Sequence, residues 1–231
     1  MFYFDPMYFL FLLPGLALSL WASYRTKSSF KKYSQVRSAR GLTGAEAARE
    51  MLDREGLHNV KITRSHGFLS DHYNPATKSL GLSEAVYQSN SIAAIGVATH
   101  EAGHAIQHAR AYKPLWLRSL LVPTANIGSS LGYIVMLVGL MFAGMQVFMI
   151  GVALFSMVIV FQIVTLPVEF DATARAKKLV LAHGIITSHE REGMDRVLNA
   201  AALTYVAAAV SSLLTLLYFL MRAGLLGGRD E

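Results

Sequence analysis

From Ser119 to Val168 the chain runs for 50 residues without a single Asp, Glu, Lys, Arg or His. A helix crosses the hydrocarbon of a bilayer in roughly 20 residues, so a run this long predicts two crossings joined by a tight turn. The stretch "FAGMQ", residues 142–146, is the place for that turn and leaves no room for a domain on the far side. A second uncharged run, Val197 to Met221, adds 25 residues and one further span. Near the start, "MYFLFLLPGLALSLWASY", residues 7–24, gives a short fourth span that carries Pro14 and Gly15. It reads as an uncleaved anchor rather than a signal peptide, because Asp5 stands where a basic region belongs and no small-x-small cleavage site follows. Composition agrees: 53% hydrophobic and 16% charged among 231 residues is too apolar for an ordinary soluble domain.

The basic residues supply an orientation. Of the 21 Lys and Arg, 14 lie between Arg25 and Arg118 and five between Arg175 and Arg196, whereas the hairpin turn has none. Short segments rich in Lys and Arg stay on the cytoplasmic side. The expected protein is multi-pass in the cell (inner or plasma) membrane, with N-terminus, hairpin turn and C-terminus outside, although the tail "RAGLLGGRDE" carries two Arg. The expected divisions are an anchor at 1–24, a cytoplasmic region at 25–118, a transmembrane hairpin at 119–168, a cytoplasmic segment at 169–196, a span at 197–222 and a tail at 223–231. The net charge of +6 then reflects topology and attraction to anionic lipid headgroups. The bilayer is the expected partner, and nucleic acid is not, since no base-stacking motif accompanies the charge.

Within 25–118, "LTGAEAAREMLDREGL" opens with Thr43 and has Glu46 three residues later, a capping box that starts an amphipathic helix. Next, "NVKITRS" reads as a strand, "NPAT" as a turn and "KSLGLS" as the returning strand of a small hairpin. From Ser91 the segment "SIAAIGVATHEAGHAIQHA" reads as a helix, unbroken until Pro114 and buried because it is apolar nearly all round.

That helix holds three histidines and a glutamate. Positions i and i+4 share a helix face, so His100 and His104 aim both imidazoles at one point, as a metal clamp requires. Glu101 is turned about 100° from His100 and reaches past the metal to a water on it. This His-Glu-x-x-His pattern is the signature of zinc hydrolases. The chain has no cysteine, so the remaining ligand must be His or a carboxylate. His108 lies two turns from His100 and about 80° around, which suits a supporting or structural role better than ligation. The segment "TLPVEFDATARAKKL" brings Glu169 and Asp171 back to the cytoplasmic side where the hairpin ends. Being two apart on a helix, only one of them can ligate, while the other can orient a histidine; Glu169 is the favoured ligand. For the oxyanion the candidates are His72, Tyr73 and Arg175, and the sequence does not choose among them. The strand "KSLGLS", if it borders the cleft, could pair with an extended substrate backbone. His58, His66, His183 and His189 read as solvated.

The segments "HYNPATKSLGLSEAVYQSNSIAAIGVATHEAGHAIQHA" and "LPVEFDATARA" resemble the YugP-like neutral zinc metallopeptidases, membrane proteins of bacteria, over nearly the whole chain. More distantly the arrangement is similar to HtpX-type and CAAX-prenyl-type membrane proteases, which place two spans between the motif and a glutamate ligand. The resemblance implies one Zn2+ per chain on His100, His104 and Glu169, with Glu101 catalytic. It also implies a mainly α membrane protein whose four spans carry a small α+β zincin-like domain. The activity implied is a gluzincin-type metalloendopeptidase that hydrolyses peptide or protein substrates. One departure is that the distant relatives have Asp four residues after the ligand Glu, whereas Thr173 stands there in this chain. Two other functions stay open at this stage: an intramembrane protease, which the polar residues around the motif disfavour, and a non-proteolytic scaffold or chaperone-like protein holding a closed structural zinc.

Overall fold

The computed structural model describes residues 6–67 and 70–226. The expectations that concern Asp5 and the last residues of the tail lie outside them. Four of its helices are long and apolar enough to cross a membrane: Pro6–Tyr33, the continuous run Lys113–Ala143, Met145–Ala182 and Arg191–Arg222. We label the elements α1 (Pro6–Tyr33), α2 (Gly44–Arg54), β1 (Lys61–Ser65), β2 (His72–Asn74), β3 (Ser79–Ser83), α3 (Glu84–Tyr87), α4 (Ile92–Ala109), α5 (Lys113–Ile127), α6 (Tyr133–Val138), α7 (Met145–Ala182) and α8 (Arg191–Arg222). The chain divides into two compact units, and all four of the long helices contribute to both.

One unit comprises Met1–Ala22, Leu117–Leu166 and Thr204–Glu231. Apart from Gly144 and residues 223–226 it is helical in its described part, as a segment in hydrocarbon must be to pair its own backbone polar groups. Wider π-type turns at Gly128–Gly132 and Gly139–Ala143 flank α6. The turn expected near 142–146 falls at Gly144, whose φ of 82° favours glycine. Just before it, a Cβ on Gly139 would stand 2.3 Å from the Phe148 nitrogen, so the two arms of the hairpin meet backbone to backbone. Met136, Phe148, Phe155, Tyr218 and Phe219 fill the interior.

The other unit comprises Ser23–Trp116 and Pro167–Leu203. Its core joins Met51 and Leu52 of α2, Leu80 and Leu82 of β3, Ile92, Ile95 and Ile106 of α4, and Val180, Ile185 and Met194 of the later segment. The capping box forms as read: Thr43 Oγ1 accepts from the Glu46 amide at 3.2 Å, and the Glu46 carboxylate accepts from the Thr43 amide at 2.8 Å.

The sheet corrects the expected hairpin. Its order is β1-β3-β2, with β1 parallel to β3 and β2 antiparallel to it. The turn "NPAT" does precede β3, but the strand it returns from is β2, three residues too short to show any alternation. Among the described residues β3 is thereby the central strand, paired with β1 along Ser79–Ser83 and with β2 along Ser79–Gly81, which leaves little of it to take a substrate strand and overturns that expectation as well.

α4 begins at the cap Ser91, whose hydroxyl accepts from the Ala94 amide at 3.2 Å, and it is buried along most of its length. It ends at Ala109, before Pro114, because Ala111 turns left-handed with φ 49°. A Cβ on Gly103 would lie 2.7 Å from the Ala172 carbonyl oxygen, so glycine is what lets α4 lie directly against α7.

Candidate metal centre

Among the described residues, His100, His104 and Glu169 are brought together as a set able to hold a metal ion, with their ligand atoms all within 4.8 Å of one another. His100 and His104 stand one turn apart on α4, their rings 4.8 Å apart and nearly perpendicular. Glu169 enters from α7 and is 1% exposed. Its Oε2 is 3.2 Å from His100 Nε2 and 3.5 Å from His104 Nε2. Around a tetrahedral zinc with bonds of about 2.1 Å, neighbouring ligand atoms stand about 3.4 Å apart. The three residues therefore fit zinc in chemistry, the two Glu169–histidine distances match that spacing, and three ligands leave a fourth position open.

The outer nitrogen of each imidazole is also engaged, and for His104 the pairing fixes the tautomer. The Gln107 side chain is fully buried. Its Nε2 donates to the Val168 carbonyl at 2.8 Å and to Asp171 Oδ2 at 2.7 Å, two groups that only accept. Oε1 is thus the atom facing His104 Nδ1 at 3.0 Å, so Nδ1 carries the proton and Nε2 presents its lone pair to the ligand position. For His100 the partner of Nδ1 is Thr173 Oγ1 at 3.1 Å. Burial works against a proton on His104, but the hydrogen bond to Glu169 and the charges of Glu101 and Glu169 outweigh it and raise its pKa. The same negative charge favours any cation at this position, so a proton and a metal ion compete for the Nε2 lone pair.

Asp171 is joined to a histidine only through Gln107, and Arg175 locks it from the other side with Nε to Oδ2 at 2.6 Å and Nη2 to Oδ1 at 3.2 Å. Arg175, one of the oxyanion candidates, is committed to that pair and lies over the Tyr112 ring. Tyr73 places its hydroxyl 2.8 Å from His108 Nδ1, and burial pushes the phenol pKa up, so it stays neutral there. His108 accordingly pairs with β2. His72 bonds the Ser70 carbonyl through Nδ1 at 2.8 Å, and its ring fills the space beside Gly81. His58, His66 and His189 are exposed, as read. His183 is not simply solvated: it is partly buried, with Nε2 3.3 Å from Glu55 Oε1.

Gln107 has no place in the sequence analysis, and Thr173 enters it only as a departure from Asp, with no role assigned. Each left a signal, because Gln107 is three residues after His104 and Thr173 four after Glu169, the offsets that share a helix face.

Comparison with known proteins bears on this geometry. A family model described as "Putative neutral zinc metallopeptidase" matches residues 8–224. The chain is 46% identical over 226 residues, 97% of its length and 100% of the relative's, to the "Putative membrane protease YugP" of Bacillus subtilis (strain 168). No solved structure matches. A match that extends from the first span to the last takes in the histidine pair and the glutamate alike, and the chain belongs to the family described as "Putative neutral zinc metallopeptidase".

Proposed function

We propose that this membrane protein is a zinc-dependent endopeptidase whose metal is held by His100, His104 and Glu169, with Glu101 as the proton carrier. The observation that carries the reading is the convergence of two imidazole nitrogens and one buried carboxylate within 4.8 Å, the carboxylate oxygen standing 3.2 and 3.5 Å from the two nitrogens. Zinc bound there would polarise a substrate carbonyl and lower the pKa of water toward about 7. The residues of the chain do the rest. Gln107 and Thr173 hold the imidazoles in place. Glu101 follows His100 on α4 and so is rotated about 100° off the ligand direction. From there its carboxylate takes a proton from the water that adds to the scissile carbonyl and delivers one to the amine as the C–N bond breaks. The Lys and Arg distribution supports a cytoplasmic location for the site.

The test is zinc per chain, by elemental analysis of detergent-purified protein, beside His104→Ala, Glu169→Ala and Glu101→Gln. About one zinc in the parent and in Glu101→Gln, with large losses in the other two, is the expected pattern. Zinc retained in Glu169→Ala would remove that residue from the ligand set, and a parent without metal after zinc is supplied would overturn the hydrolase.

A further inference from the structure

The depth of the site in the membrane can be read from the helices that hold α4. On α7 the uncharged run ends at Val168, and the next residue is Glu169. Gln107 of α4 bonds the carbonyl of Val168 itself, and Gly103 packs on Ala172. On α8 the uncharged run begins at Val197, and Gly96 of α4 faces Met194 and Leu198, on either side of that point. Two separate helices thus set α4 at the level where apolar sequence gives way to charge. The outward face of α7 marks the same level. Ile163 and Phe170 are exposed, Phe170 by 47%, and then come Ala174 and Lys178, also exposed. An exposed Phe followed two turns later on the same face by an exposed Lys marks where that face passes from one suited to hydrocarbon to one that needs water. Phe170 and Lys178 are separated by about 12 Å along the axis, and Glu169 is at the apolar end of that interval. The two tryptophans of the chain are exposed as well, Trp21 near the end of the apolar run in α1 and Trp116 two residues before Arg118 and the run that begins at Ser119, where interfacial anchors are found.

We infer that the metal centre lies within the headgroup layer and that its substrates are membrane-anchored polypeptides, cut in the few residues next to their anchor. This rests on the proteolytic reading above. A peptide bond in a soluble chain would have to enter the headgroup layer unaided, whereas an anchored chain presents its juxtamembrane residues there continuously. Tethering raises their local concentration without any new contact.

The absence of native cysteine allows a clean depth measurement on the full chain in nanodiscs. Single-cysteine variants Phe170→Cys and Lys178→Cys, each carrying a fluorophore, are quenched by spin-labelled lipid or by an aqueous quencher. Lipid quenching at 170 and aqueous quenching at 178 is expected; aqueous quenching at both positions overturns the placement. In the same nanodiscs, one random peptide library is offered free and coupled to a lipid through a short or a long spacer. Cleavage at least tenfold faster in the short-spacer format, absent in Glu101→Gln, is expected. Equal rates for the free library would overturn the substrate assignment and leave proteolysis standing. Cleavage of neither format overturns the proteolytic reading and the substrate assignment together, and the depth result stands or falls separately.

Discussion

Gln107 has no charge and no role in bond breaking, yet it is where the environment of His104 is decided. With one face given over to the Val168 carbonyl and to Asp171, its amide can offer only oxygen to the imidazole. Replacing it with Ala leaves Nδ1 of a buried histidine without its acceptor, and zinc affinity should fall about 10- to 100-fold, measured by competition with a chromogenic chelator. Glu101→Gln differs in kind: it should keep its zinc and lose roughly 100- to 10,000-fold in turnover, because only proton transfer is removed. Glu190 offers a test of folding rather than chemistry. Burial raises its pKa, but hydrogen bonds from the amide and hydroxyl of Thr187 and the amide of Ala39 prevail and lower it below the ordinary 4.5. A depressed carboxylate pKa stabilises the fold above the unfolded value, and that contribution disappears as pH falls through the folded one. Melting temperatures should therefore drop below pH 4.5 more steeply in the parent than in Glu190→Gln.

The contact of α4 with α7 depends on a single missing methyl group. With the Ala172 carbonyl 2.7 Å from where a Cβ would stand on Gly103, Gly103→Ala must push the helices apart. Overpacking of this sort costs about 1–3 kcal/mol, and here it also draws Glu169 away from the histidines. The variant should melt earlier and lose zinc together; a stable variant with full zinc would show that the helices slide without harm. The same contact explains which elements could be read from sequence. α4 announced itself by composition, capping and the i, i+4 histidines, and α7 by its uncharged run. β2 did not, since three residues carry no period, and its absence turned a β2–β3 hairpin into an apparent β1–β3 one. Asp171 was legible as a supporting residue, but the Gln107 link was not, because it depends on how two helices cross rather than on spacing along either.

Across the whole chain, the apolar runs and the basic segments express one constraint: charge stays where water can solvate it. That is why 14 of 21 Lys and Arg fall between Arg25 and Arg118 and none in the hairpin turn. On the proposed topology a hairpin that crosses twice returns to the side it left, which is how Glu169 comes to meet His100 across 69 positions of sequence. If both histidines and Glu169 bind one ion, the metal joins segments that the chain connects only through the membrane, and binding it should stabilise the fold by mass action. At free zinc a thousandfold above its dissociation constant the gain is about 4 kcal/mol, so chelation should lower the melting temperature of the parent and leave that of Glu169→Ala almost unmoved. Orientation has an equally direct test. Met145, beside the turn, is 49% exposed, and Glu84 is exposed in the other unit. In intact cells a membrane-impermeant maleimide should label Met145→Cys at once and Glu84→Cys only after permeabilisation. The reverse pattern would turn the protein over, put the metal site outside the cell, and leave the basic segments against the rule that orients them.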